Sequence, residues 1–488
     1  MTSLKSLDMI FAQSSAKGRA ALAVHRISGP GCLKPIEHLL RRAKTDSEGT
    51  LVPGQVIQLS PGMSRYCFLV DANERIVDDC MVVHFFGPNS YTGEDTLEIT
   101  CHGNPFISAR LHSLLRQLGY RDAEPGEFTQ RAFLNGKLDL TRAEAIDQLI
   151  HADTISGVEL ARQASVGTIG SHSRRIRERL VGAMAYFEAH IDFAEDEVGS
   201  YDATIQAQEI ASLRDEIRSL AATYSTGLKM REGLQLILLG EPNAGKSSLY
   251  NCLLGRERAI VTDIPGTTRD LVEDRLVLNG RDFVILDTAG LRHTSDVVES
   301  IGVSRALGSA KKADIICWIL DPTRIQLDTF LEKIKTDFVS FKNSIEPTLD
   351  ASFLVIFTKE DFWSEELRKK IENIPVDFFA ERSRWTHCSA QKNDIELLKN
   401  EIESLYDAKL NFGTKGEIPI LISERQRDKA LLACGSLNQA LELISQKDFP
   451  EKIASLLLQA AQHIADLIGE IGTDDVLENI FSNFCIGK

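Results

Sequence analysis

One run of nine residues, Gly240-Glu-Pro-Asn-Ala-Gly-Lys-Ser-Ser248, constrains this chain more than any other segment. It follows an apolar stretch at 234–239 and precedes Leu249-Tyr250-Asn251. A buried strand, a glycine-bracketed loop and a helix start, in that order, make a phosphate-cradling loop. Gly240 and Gly245 let the backbone approach phosphate oxygens, and the helix N-terminus behind them carries partial positive charge. In such a loop Lys246 reaches the β- and γ-phosphates and the Ser247 hydroxyl ligates magnesium. Asn243, Ala244 and Ser248 complete the lining of the expected nucleotide site, for GTP or GDP.

The downstream residues turn a phosphate site into a hydrolase site. Residues 283–286 read as a buried strand ending in Asp287, Thr288, Ala289 and Gly290. There Asp287 suits the magnesium shell and the Gly290 amide can sense a γ-phosphate. Between the two motifs lies a polar loop with Thr262, Asp263, Ile264, Pro265, Gly266, Thr267 and Thr268, in which Thr268 can close over magnesium as a first switch. Apolar strands at 314–320, 353–357 and 385–388 alternate with helical stretches. That pattern predicts an α/β unit whose doubly wound, mainly parallel sheet is covered on both faces. Ligands on such sheets sit at the carboxyl ends of the strands, where each motif falls.

Base choice is read from Thr358, Lys359 and Asp361 after the strand at 353–357. A carboxylate accepts two hydrogen bonds from the edge of guanine, and adenine offers no such pair, so Asp361 selects guanine. The Lys359 stem lies along the ring, and Ser389 and Ala390 supply the backbone contact to the base oxygen. GTPases usually carry Asn where this chain has Thr358, so weaker bracing of the loop is expected, with guanine specificity kept. Two details depart from the Ras type. Leu291 stands where a Ras-like enzyme keeps its water-orienting glutamine. Glu299 is the candidate replacement, although an isolated glutamate reads more readily as a solvated switch-loop carboxylate. Asn243 is the second detail: its carbonyl oxygen, with backbone carbonyls of the first switch, suits potassium, which favours such cages. A monovalent cation there neutralises developing charge as an arginine finger does elsewhere.

At this point the chain resembles the tRNA-modification GTPase MnmE, or TrmE, family. The matching words are Arg26-Ile-Ser-Gly29, Pro88-Asn-Ser-Tyr-Thr-Gly-Glu-Asp-Thr-Leu-Glu98, Cys101-His-Gly103 and Pro125-Gly-Glu-Phe-Thr-Gln-Arg-Ala-Phe-Leu-Asn-Gly-Lys-Leu-Asp139. Residues 291–305 follow the family's second switch, and the chain stops at Phe484-Cys-Ile-Gly-Lys488. Residues 321–350 and 401–450 match least. The resemblance implies a one-carbon tetrahydrofolate, 5,10-methylene- or 5-formyl-, at Arg26, Glu98, Lys137 and Lys488. It implies potassium at Asn243, Thr262, Ile264 and Thr267, magnesium at Ser247 and Thr268, and Glu299 as the acid that positions water. It also implies a homodimer working with an FAD- and NADH-dependent partner, MnmG, in a heterotetramer or larger assembly. Together they would place an aminomethyl-type group of the carboxymethylaminomethyl family on the 5-position of the wobble uridine of certain tRNAs. Cys485 matches a terminal cysteine needed for modification, and sequence assigns it no chemical step.

Without the resemblance the flanking regions say less. Arg26, Glu98 and Lys137 would each read as surface charges. A pterin nevertheless presents donors to a carboxylate, and its anionic tail suits Arg and Lys. His102 reads as a hydrogen-bonded structural histidine. Cys485 superficially fits a prenylation box, but Gly487 and Lys488 make it a poor one.

Composition narrows the class. With 488 residues, the chain has room for two to four domains. Its 9 scattered cysteines, without C-x-x-C spacing, suit reduced thiols in the cytoplasm better than disulfides or zinc. No apolar run suffices to span a bilayer, and the N-terminus makes a poor signal peptide. The net charge of −15 argues against strong tRNA binding by this chain alone, so most of that affinity is expected from the partner. Arg174-Arg-Ile-Arg-Glu-Arg179, on a predicted helix, is the clearest basic cluster and reads first as an exposed face flanked by acids.

The expected layout is an α+β domain at 1–135 for folate and dimerisation, and an all-α helical domain split between 136–230 and 406–488. The P-loop GTPase domain is inserted at 231–405. Asp474 and Asp475 read as caps of the last helix. The rival reading is a ribosome-assembly GTPase that uses nucleotide only as a binding switch. It needs neither the folate-type residues nor Cys485-Ile-Gly-Lys488. An ATP-using kinase or ATPase is disfavoured by Asp361.

Overall fold

Alternating burial in the first hundred residues builds one eight-stranded sheet. Strands β1 (Ile10–Gln13), β2 (Leu22–Ser28), β3 (Leu40–Thr45), β4 (Leu51–Val56), β5 (Arg65–Val70), β6 (Ile76–Phe85), β7 (Thr96–His102) and β8 (Arg121–Asp122) lie in the order β4-β3-β5-β6-β7-β2-β1-β8. All neighbours are antiparallel except β1 with β8. On β2 the two-residue period buries Ala23, His25 and Ile27 on the core face and turns Arg26 to the other. The helix Pro105–Gln117 covers the core face with Leu111 and Leu115. It starts where Asn104 accepts from the Phe106 amide, with Pro105 in the first turn.

The computed structural model describes residues 8–193, 195–198, 202–257, 274–286, 310–345, 350–375, 378–379, 382–410, 418–470, 477, 480–482 and 484–488. Asp474 and Asp475 lie outside them. Two compact units emerge: one holds Met1–Ile150, Gln163–Arg218 and Ser423–Lys488, and the other, His151–Arg162 and Ser219–Ile422, interrupts it in the chain.

The helical part of the first unit packs Thr168–Asp192 and Glu424–Ser445 along Pro450–Ile468. One buried carboxylate ties these helices to Leu140–His151. Glu144 accepts from Arg425 Nε (2.7 Å) and Nη2 (3.0 Å), Gln426 Nε2 (2.5 Å) and Ser423 Oγ (3.2 Å). Arg425 also caps the helix Pro450–Ile468 by donating to Asp466 O and Leu467 O. Three arginines of the basic cluster on Thr168–Asp192 are held by acids: Arg174 meets Asp139, Arg177 meets Glu470, and Arg179 meets Glu209 and Glu216, while Arg175 contacts His172.

In the second unit β9 (Leu234–Gly240), β10 (Asp274–Leu278), β11 (Arg281–Leu286), β12 (Ile315–Leu320), β13 (Ser352–Phe357) and β14 (Ser383–His387) form a sheet in the order β10-β11-β9-β12-β13-β14. Only β10 is antiparallel to its neighbour. It was not foreseen from the sequence, although Asn279-Gly280, both at positive φ, is a strong hairpin signal. Leu249 and Leu253 of the helix Lys246–Glu257 cover one face with Leu398 and Ile402 of Glu396–Leu410. Phe330, Ile334 and Phe338 of Phe330–Ser344 cover the other with Leu367 and Ile371. The unit is therefore doubly wound. No helix among the described residues is long and apolar enough to cross a membrane.

Two expectations follow. Glu144→Ala leaves the Arg425 guanidinium, 17% exposed, without its acid, and should cost about 3–5 kcal/mol of stability, read as a lower urea midpoint. His25 is fully buried, 3.0 Å from the His112 ring nitrogen, and burial followed by repulsion from His112 lowers its pKa to about 4. Its folded-state pKa lies below the ordinary 6.5, so the unfolded chain binds the proton first and stability declines as pH falls from about 6.5 toward 4. The His25 imidazole resonance should accordingly remain that of the neutral ring at pH 5.

Candidate functional site

The loop after β9 is built around a glycine that nothing else can replace. Gly240 has φ +155°, and a Cβ there would stand 2.2 Å from Ile319 O on the neighbouring strand. The chain then turns through Asn243, exposed and left-handed at φ +60°, and buried Ala244. Lys246 begins the helix Lys246–Glu257, and its ammonium donates to Gly240 O (2.9 Å) and Glu241 O (2.8 Å). The cation is thus held inside the loop by carbonyls, a hold that phosphate oxygens can take over. Gly245 and Ser247 are half-buried beside it, and Ser248 is exposed.

The base-side residues converge on the same end of the sheet. Thr358, buried at the end of β13, donates through Oγ1 toward Ala244 O (2.6 Å), with Leu320 O at 3.2 Å. The expectation of weaker bracing is thereby refined: the hydroxyl does tie this loop to the phosphate loop. It has a single proton for two acceptors, where a side-chain amide would offer two. Trp363 Nε1 donates to Thr358 O at 3.0 Å and fixes the turn from behind. Lys359, left-handed at φ +58°, points its ammonium at Asp321 Oδ2, 2.6 Å away. Burial works against the charged form of Asp321, but Lys359 and the Thr323 hydroxyl outweigh it, and its pKa is lowered. Asp361 accepts from Ser389 Oγ at 2.6 Å, which aims the carboxylate, and half-buried Ala390 follows. Asp321 is a site residue that sequence reading passed over. Its signal was an acid at the carboxyl end of an apolar strand.

Thr262, Asp263, Ile264, Pro265, Gly266, Thr267, Thr268, Asp287, Thr288, Ala289, Gly290 and Glu299 lie outside the described residues.

A second constellation forms in the first unit. Strands β2 and β7 pair Arg26 with Glu98, and the guanidinium donates to Glu98 Oε1 through Nε (3.0 Å) and Nη2 (2.9 Å). Neither is a free surface charge: their side chains are 16% and 28% exposed. The Tyr91 and Phe128 rings stand 5.2 and 5.8 Å from the guanidinium carbon, aromatic walls that no local pattern announced. The C-terminal segment returns here. Ser14 Oγ donates to Gly487 O at 3.1 Å, and half-buried Lys488 lies within electrostatic reach of Arg26, Glu98 and Cys485. Burial first and Arg26 second push the Lys488 ammonium pKa down. Two cations against one side-chain carboxylate suit a ligand with both donor and anionic groups. Cys485 is exposed. Lys137 is exposed and donates to Pro88 O at 2.8 Å, on the loop that carries Tyr91. His102 is bonded to Asp78, 2.9 Å from Nδ1.

Two family models match the chain: "GTP-binding protein TrmE N-terminus" over residues 9–137 and "MnmE helical domain" over residues 140–485. Among curated relatives, the tRNA modification GTPase MnmE of Aquifex aeolicus is 36% identical over 486 residues, covering 99% of this chain and 100% of that one. The proteins of the same description from Christiangramia forsetii and Clostridioides difficile are each 33% identical over 492 residues, covering 99% of this chain and 100% and 99% of theirs. With the Arg26–Glu98 pair inside the first of these models and the phosphate loop inside the second, the chain belongs to the tRNA modification GTPase MnmE family.

Proposed function

We propose that this protein is a GTP hydrolase acting in tRNA modification, stimulated by potassium. With a flavin-dependent partner of the MnmG type, it installs an aminomethyl-type group at the 5-position of a wobble uridine, drawing on a one-carbon tetrahydrofolate. The observation that carries the nucleotide half is the convergence of Lys246, Thr358, Lys359 and Asp361 at one edge of a parallel sheet.

On this reading Asp361, steadied by Ser389, accepts the two guanine donors, and Lys359, anchored by Asp321, lies along the ring. Lys246 leaves the loop carbonyls for the β- and γ-phosphates. Magnesium, held by Ser247 and Thr268 near Asp287, and potassium, held by Asn243, Thr262, Ile264 and Thr267, supply positive charge beside the phosphates. Glu299 orients the attacking water, because Leu291 has no polar atom to do so. Arg26, Glu98 and Lys488, with Lys137, hold the folate. GTP brings two GTPase domains of a homodimer together, and hydrolysis releases them.

Replacing potassium by sodium should slow turnover markedly, and equal rates in both salts would remove the Asn243 assignment. Glu299→Ala should leave GTP binding intact and depress hydrolysis. Unchanged turnover would end that residue's role. Asp361→Ala should weaken GTP binding by about 1–3 kcal/mol in a fluorescent-nucleotide titration. An excess of ATP should not displace GTP from the unaltered protein, and displacement would argue against guanine selection.

A further inference from the structure

One cleft in the first unit is bordered by two cations, Lys137 and Arg142, that have no carboxylate within ion-pair distance among the described residues. The cleft has a volume of about 550 Å³ and is lined by Phe133, Lys137, Asp139, Arg142, Arg174 and Glu470, among others. That volume falls within the range of small-molecule sites. Its two acids are already engaged. Asp139 accepts from Thr141 Oγ1 (2.6 Å), the Arg142 amide (3.0 Å) and Arg174 Nη2 (2.9 Å). Glu470 meets Arg177 at 2.9 Å and Arg174 at 3.5 Å. Arg142 and Lys137, by contrast, are held only by neutral main-chain oxygens. Arg142 donates to Ser165 O (3.0 Å) and Lys137 O (3.2 Å), and Lys137 to Pro88 O (2.8 Å). Among the described residues neither guanidinium nor ammonium has a carboxylate within ion-pair distance. Carbonyl contacts fix where these cations stand without cancelling their charge, which makes them ready receptors for carboxylates.

Lys137 connects the cleft to the proposed folate site. It touches Pro88, on the loop whose Tyr91 ring flanks Arg26. It is followed directly by Leu138 and Asp139 of the cleft wall. A ligand whose ring sits at Arg26 and Glu98 and whose tail passes Lys137 would next meet Arg142.

We propose that this cleft takes the γ-linked glutamate tail of a polyglutamylated folate, with Lys137 and Arg142 receiving successive tail carboxylates. The inference rests on the folate reading and extends it, naming the polyglutamate form as the preferred ligand. A flexible chain of spaced carboxylates fits a small cleft in which two unneutralised cations alternate with satisfied acids. The stiff phosphate array of duplex RNA needs a broad basic face, and the neighbouring arginines of that face are already paired.

The test is calorimetric titration of the full chain with 5-formyl-tetrahydrofolate as the monoglutamate and as the pentaglutamate. The pentaglutamate should bind about tenfold tighter, an advantage of the size two partly exposed ion pairs give, and rising salt should erode it. Arg142→Gln should abolish the chain-length advantage, with circular dichroism melting confirming that the variant folds. Equal affinities for the two ligands, an advantage insensitive to salt, or an advantage that survives in a folded Arg142→Gln protein would overturn the tail assignment while leaving the folate reading standing. Failure of both ligands to bind would overturn the folate reading and this inference with it.

Discussion

The burial of Phe481 and Phe484 against the N-terminal half of the chain is the constraint on which the first unit depends. Both rings join a core with Ala132, Leu138, Leu140 and Ala143, residues some 340 positions earlier. Gly126, left-handed at φ +67°, makes the approach possible, since a Cβ there would stand 2.5 Å from Phe481 O. Once that contact forms, the chain between Leu140 and Phe481 must leave and come back. The second unit, continuous from Ser219 to Ile422, occupies that excursion. The same contact carries Gly487 to Ser14 and Lys488 to Arg26 and Glu98. The terminal cysteine and lysine are thus placed by core packing, an apolar anchor supporting a polar site.

A different logic governs the edge of the parallel sheet. There each functional side chain is held by a short polar contact at the carboxyl end of a strand: Thr358 by Ala244 O, Lys359 by Asp321, Asp361 by Ser389. Each contact joins loops that follow different strands, so the loops support one another before any ligand arrives. Buried, well-directed hydrogen bonds of this kind contribute about 0.5–1.5 kcal/mol each. Preorganisation matters more here than the sum, because a carboxylate already aimed at its target loses little entropy on binding.

Legibility in the sequence tracked the distance over which residues cooperate. The phosphate loop could be read outright, because strand, glycines, lysine and helix start are adjacent. Thr358, Lys359 and Asp361 stood out for the same reason, being adjacent in the chain at the end of an apolar strand. Arg26 and Glu98 looked like surface charges because their pairing depends on the β2–β7 register across 72 positions. Asp321 escaped notice because its partner Lys359 lies 38 residues on, across one strand of the sheet. The β10 strand was missed for a different reason: Asn279-Gly280 is a local signal, but the five-residue strand before it is short and carries Asp274 and Arg275. In the arginine-rich run the composition was visible while its acids, on other helices and loops, were not.

Those paired arginines bear on how an acidic protein can work in tRNA modification. With a net charge of −15, the chain as a whole repels a polyphosphate. On its most basic helix, Arg174, Arg177 and Arg179 each face a carboxylate, and Arg175 contacts His172. Lys246 donates to carbonyls within the phosphate loop, and Lys137 and Arg142 donate to main-chain oxygens at the cleft. Among the described residues, these three cations stand where small anions fit. Such a distribution favours nucleotide and carboxylate ligands over direct capture of RNA.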